Sequence, residues 1–126
     1  MASTYSSNLK IELIGTGDQT GTWGTTTNSN FSNVFEQSIV GRVTVNFATD
    51  ANKTLSASDS VSSQDFRNVY LNLTSSGSLT ATRDLIVPTI NKNYVIQNNT
   101  TGSQSIRVIT AAGTGITVPT GATCAV

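Results

Sequence analysis

From Gly41 onward, apolar residues alternate with polar ones in short runs, and each run is closed by Gly, Asn, Ser or Pro. Alternation with a period of two marks half-buried strands, and a chain punctuated this often has no room for long helices. Val43, Val45 and Phe47 alternate with Thr44 and Asn46, and Val69, Leu71 and Leu73 with Tyr70 and Asn72. Leu79 to Ile90 forms a further extended run. It contains Pro88, which lacks a ladder N–H and so belongs at an edge, a bulge or a strand end. Tyr94–Gln97, Ser105–Thr110 and Ile116–Val118 read as strands, whereas Thr54 to Ser63 is polar and unassigned. The β-branched residues number 41 against 21 of Leu, Ala, Glu and Lys, so local preference agrees with the pattern. The expectation is a mainly all-β fold, a β-sandwich or jelly-roll-like barrel of about six to eight short antiparallel strands, with one short helix near the N-terminus.

Residues 1–42 read differently. Leu9, Ile11 and Leu13 point one way and Lys10 and Glu12 the other, which predicts a strand over Leu9 to Ile14. The following stretch, with glycines at 15, 17, 21 and 24, predicts sharp turns that are neither helix nor regular strand. Trp23 is its one large side chain and plugs either the top of a core or an interface. From Asn30 the period lengthens: Phe31, Val34, Phe35 and Ile39 share one helical face, which predicts a core-facing helix of about ten residues. Asn28, Ser29 and Asn30 supply N-caps, and Asn33 with Glu36 fits capping-box spacing. Gly41 is placed to close the helix in the left-handed conformation. The expected organisation is an N-terminal strand, turn and helix over 1–42, a possible docking region, forming one compact unit with a β-sandwich over 43–126.

Composition narrows the function classes. Of 126 residues only 14 are charged, seven of each sign, and none is histidine. Scattered Lys and Arg at zero net charge build no basic stripe, so nucleic acid is not an expected partner. No apolar run approaches the ~20 residues of a membrane-spanning helix, so no membrane insertion is expected. The opening residues MASTYSSN have neither a basic nor an apolar signal region, which predicts synthesis in the cytoplasm. Ser, Thr and Asn supply 49 residues. A surface of hydroxyls and amides repels neighbours weakly and suits a subunit held in a large assembly or facing sugars.

Chemistry is narrowed in the same way. Without histidine and with the single Cys124, Cys/His zinc sites and Ser-His-Asp or Cys-His nucleophiles are excluded, and no internal disulfide can form. The seven carboxylates read as solvated surface groups. Gly15-Thr-Gly17-Asp18-Gln19-Thr20 lacks the third glycine of a dinucleotide fingerprint and is too far from the helix. No catalytic residue, cofactor or metal is therefore expected, and the chain is not read as an enzyme. The chain reaches Val126 in a strand-like stretch. Either that strand pairs within the fold to its last residue or the native product runs on.

Leu9 to Phe31, LKIELIGTGDQTGTWGTTTNSNF, resembles the opening of virion structural proteins of tailed bacteriophages, especially those of marine cyanobacteria. Val87 to Pro119, VPTINKNYVIQNNTTGSQSIRVITAAGTGITVP, is similar to the same proteins. The resemblance implies a non-enzymatic virion component: a tail-fibre or tail-attached protein acting in assembly and host attachment, with a capsid decoration protein as the alternative. Family members tend to continue past the position of Val126 through another strand. The implied partners are other virion proteins and further copies of the chain, and the implied location is the virion. The candidate interface residues are Leu9, Ile11, Leu13, Asp18, Trp23 and Phe31. A second function class is a module that binds host surface polysaccharide, with Tyr70 and Tyr94 on outward faces as candidates for stacking on sugar rings.

Overall fold

The computed structural model describes residues 2–60 and 63–126. Two short strands, β1 (Thr4–Tyr5) and β2 (Glu12–Leu13), pair antiparallel near the N-terminus. A continuous helical stretch follows as α1 (Trp23–Ser29), a π-helical turn (Asn30–Phe35) and α2 (Glu36–Val40). Among the described residues eight further strands follow: β3 (Arg42–Phe47), β4 (Lys53–Thr54), β5 (Tyr70–Ser75), β6 (Arg83–Ile86), β7 (Val95–Asn98), β8 (Ile106–Ile109), β9 (Ile116–Val118) and β10 (Thr123–Ala125). A 3₁₀ turn, Asp65–Arg67, lies between β4 and β5.

The strands form two four-stranded sheets, ordered β10-β7-β5-β3 and β4-β6-β8-β9. From β3 to β8 each strand lies in the opposite sheet from the one before it. The chain therefore winds around a shared core as stacked coils, and β3, β5 and β7, like β4, β6 and β8, pair in parallel. Within these two sheets, β9 and β10 run antiparallel to their neighbours, β8 and β7. The fold is mostly β, as expected, but it is neither an antiparallel sandwich nor a closed barrel. Between β3 and β8 the turn residues make corners that carry the chain to the facing sheet instead of hairpins that turn it back.

Alternation within the strands holds. Leu71 and Leu73 of β5, Leu85 of β6, Ile96 of β7, Ile106 of β8 and Val118 of β9 are all fully buried. They form one cluster with Val45, Phe47, Leu55, Phe66, Leu79, Val87, Tyr94 and Val108, so both sheets contribute to a single core. Burying apolar area of this kind is the main driving force for folding. Among the strand residues described, Asn98 is the buried polar one. Its Nδ2 donates to the carbonyls of Gln104 and Val118, and its Oδ1 accepts from the N–H and hydroxyl of Thr100, so its burial leaves no polar atom unbonded. Pro88 falls just beyond β6, at a strand end. Gly102, at φ 103°, lets the backbone pass against Leu79 where a Cβ would collide with the Leu79 carbonyl. At β10, Val126 exchanges both backbone hydrogen bonds with Tyr94. Of the unassigned stretch Thr54 to Ser63, residues 61 and 62 lie outside the described residues.

Three expectations for the N-terminal part are corrected. The strand over Leu9 to Ile14 shrinks to Glu12–Leu13, because Lys10 takes a left-handed φ of 59° that breaks the extended run. The helix begins at Trp23, inside the glycine-rich stretch read as turn, and runs to Val40, so it is longer than the short helix expected and does not lie at the N-terminus. Gly41 is extended (φ −66°, ψ 137°) and not left-handed. Its lack of a side chain serves close approach instead, since a Cβ there would strike the Gln37 carbonyl and the Asn68 side chain.

Candidate interaction surface

The segment before β3 is fixed mainly by polar bonds. Arg67, on the 3₁₀ turn and 1% exposed, donates from Nε to the Leu9 carbonyl at 2.7 Å and from Nη2 to the Lys10 carbonyl at 3.0 Å. Burial lowers the pKa of this guanidinium, and backbone oxygens compensate its charge. Asn30, in the π-helical turn, exchanges two bonds with the Glu12 backbone, at 3.1 and 2.9 Å. Gln19 donates to Ser3 and to the Glu12 carboxylate, accepts from the Thr26 hydroxyl, and offers its carbonyl to the N–H groups of Thr22 and Trp23. These contacts set where the helix starts. Among the described helical residues from Trp23 to Val40, only Val34 is buried.

Other large apolar side chains of the helix are exposed. Trp23 is 60% exposed, Phe31 58%, Ile39 72% and Val40 65%, and Leu13 is exposed nearby in sequence on β2. Of the stripe read as core-facing, Val34 is buried and Phe35 half-buried, while Phe31 and Ile39 point to solvent. Phe31 and Phe35 touch, with ring centroids 5.5 Å apart. A π-helical turn advances fewer degrees per residue than an α-helix. It thereby keeps Trp23, which lies eight residues before Phe31, closer to the direction of Phe31 and Ile39 than a uniform α-helix would. Several large apolar side chains exposed along one short element exceed the scattered singles normal for a protein surface.

The other candidates separate. Leu9 and Ile11 are half-buried and line a groove with Ser38, Val69 and Asn91–Asn93, so they belong to the seam between the N-terminal segment and the strands. Asp18 is half-buried in a turn, its N–H bonded to the Gly15 carbonyl. Trp23 and Phe31 come together on the helix, and Leu13 lies apart on β2. Ile39 and Val40 were missed as surface residues, because helical periodicity identifies an apolar face without saying whether anything covers it.

Tyr70 and Tyr94 part company. Tyr70 stands on the outer face of its sheet, its hydroxyl donating to Gln97 at 2.7 Å and its ring lying under the Arg42 guanidinium at 5.0 Å. Tyr94 is 3% exposed and its hydroxyl donates to the Phe66 carbonyl, which corrects its placement on an outward face. Burial pushes its pKa up to about 12. Around Tyr70 the outer face is a ladder of short polar groups: Asn72 bonds Thr44 and Asn99, and Thr74 bonds Asn46.

Two carboxylates have defined roles. Asp84 takes two 2.8 Å bonds from Arg107, and Asp50 takes bonds from Arg83 and Thr80. The arginine beside each holds its carboxyl below the usual carboxylate range. Carboxylates tied to guanidinium in this way stay ionised at neutral pH. Among the described residues, no group of three His, Cys, Asp or Glu is placed to hold a metal, and no helix is long and apolar enough to cross a membrane. Compared with protein-family models, curated proteins and solved structures, the chain matches none.

Proposed function

We propose that this protein is a non-enzymatic structural subunit of a bacteriophage particle, a tail-fibre or tail-attached component that docks on a neighbouring virion protein through the helical stretch Trp23–Val40. The observation that carries the reading is the exposure of Trp23, Phe31 and Ile39 on a helical stretch whose one buried residue, among those described, is Val34. The resemblance of Leu9–Phe31 to virion proteins covers the first half of that helix, including Trp23 and Phe31. Exposed aromatic and aliphatic side chains are the kind of groups from which interface hot spots are built. The low charge supports the same reading, since contacts between such subunits weaken little in salt.

Replacing Trp23 by Ala tests the reading. The variant should keep the melting temperature of the parent, because the indole is exposed, and should lose incorporation into particles. Incorporation at the parental level would overturn docking through this helix. The outer face of the β10-β7-β5-β3 sheet favours a second reading, a cell-surface glycan-binding module. Tyr70, Asn72, Gln97 and Thr44 there offer an aromatic edge among amides and hydroxyls. Binding on a glycan array that is lost in Tyr70→Ala would favour this reading over the first.

A further inference from the structure

Four strands end the two sheets, and three of them are poor templates for further pairing. β4 is two residues long and carries Lys53, while β9 and β10 have three residues each. Short edges and edge lysines are the usual ways of blocking unwanted strand addition. β3 is different. It runs six residues, Arg-Val-Thr-Val-Asn-Phe, with neither Lys nor Pro, and has no strand on its outer side among the described residues.

The hydrogen-bond pattern shows which groups face outward. Tyr70 N–H bonds the Gly41 carbonyl and Ser76 N–H bonds the Phe47 carbonyl. In a parallel ladder, alternate residues turn both N–H and C=O to the same side. Val43, Val45 and Phe47 therefore face β5, and Arg42, Thr44 and Asn46 present their backbone groups at the free edge.

We infer that β3 is a homodimerisation edge, pairing antiparallel with β3 of a second copy about a two-fold axis at Thr44. Backbone parity and charge select that register. Only an arrangement with Thr44 opposite Thr44 uses all three outward-facing residues of each strand, placing Arg42 of one copy opposite Asn46 of the other. Centring on Arg42 would oppose two guanidiniums, which is destabilising. The Thr44 register also sets Val43 opposite Val45 on the inner face. Val43 is now only partly buried at the margin of the core, and the partner strand would cover it. A formal net charge of zero leaves no overall repulsion between copies. The two sheets would join as one continuous eight-stranded sheet through an isologous contact. This inference concerns the chain alone and stands apart from the particle reading.

Sedimentation of the purified full chain tests it. The parent should have the mass of two chains, and Thr44→Pro and Thr44→Lys the mass of one, with unchanged circular dichroism. Proline at 44 removes an N–H that the β3–β5 ladder does not use. In a Cys124→Ser background, Thr44→Cys should cross-link two copies on oxidation. Hydrogen-bonded antiparallel partners lie about 5.5 Å apart between Cα atoms, within the span a disulfide bridges. Asn46→Cys, whose opposite residue is Arg42, should cross-link far less. A parent chain that stays monomeric, a dimer that survives both Thr44 substitutions, or faster cross-linking from position 46 than from 44 would overturn the inference.

Discussion

The N-terminal segment and the coiled strands are held by different forces. From Val45 to Val118 the strands share one apolar cluster with several side chains fully excluded from water. The segment before β3 adds Val34 as its buried apolar residue and relies on Arg67, Gln19 and Asn30 for its position. Apolar packing is cooperative and tolerates little loss, whereas a set of polar bonds can open locally. The strands therefore form a rigid base, and the helix is attached to it at a few points with its apolar face still available.

Removing packing should have the largest effect. Leu71→Ala, at a fully buried position shared by both sheets, should cost about 2–5 kcal/mol and lower the urea midpoint of the entire chain. If only part of the chain lost protection, the single-core description would fail. Cutting the attachment should matter less. Arg67→Met removes the donors to Leu9 and Lys10, and because those bonds hold the N-terminal segment and not the strands, the loss falls on local opening more than on the global urea midpoint. Amide exchange should then accelerate over residues 2–41 while the strands stay protected; uniform acceleration would erase the distinction between the two regions. Acid should have the smallest effect. A carboxyl whose folded pKa lies below its unfolded one stabilises the fold above the unfolded value and loses that contribution as pH falls through the folded one. Asp50 and Asp84 should leave the melting temperature flat from neutrality to about pH 4 and contribute a modest decline below it, since their ion pairs are partly solvated. Asp84→Asn should flatten part of that decline.

How far the sequence could be read follows the same division. In the strands, side chains obey a period of two because one face meets the core, so Leu71, Leu73 and Ile96 could be assigned from alternation alone. Parity also accounts for Tyr94: just before β7 it shares the inward phase of Ile96 and Asn98, so alternation along its own run argues against the outward face expected for it. Strand direction was not legible, because a corner and a hairpin use the same Gly, Asn and Ser residues. Pairing partners such as Lys53 and Leu85 are also far apart in sequence. The start of the helix was hidden for another reason. Gly24 and Thr25–Thr27 are weak helix formers, and what holds them helical is the side chain of Gln19 together with the Glu12–Asn30 exchange. Those bonds exist only in the folded chain.

Winding the chain through alternating sheets has a kinetic consequence. Arg42 meets Tyr70, Tyr70 meets Val95, and Arg83 meets Ile106, so each parallel contact closes a long loop before it gains anything in return. The β8–β9 pair, joined across the turn at Gly113 and Gly115, is the most local of the eight-strand pairings. Order should start there and spread coil by coil toward β3, at the slow pace of proteins rich in distant contacts. The six-residue edge at Arg42–Phe47 would then be the last to find its place.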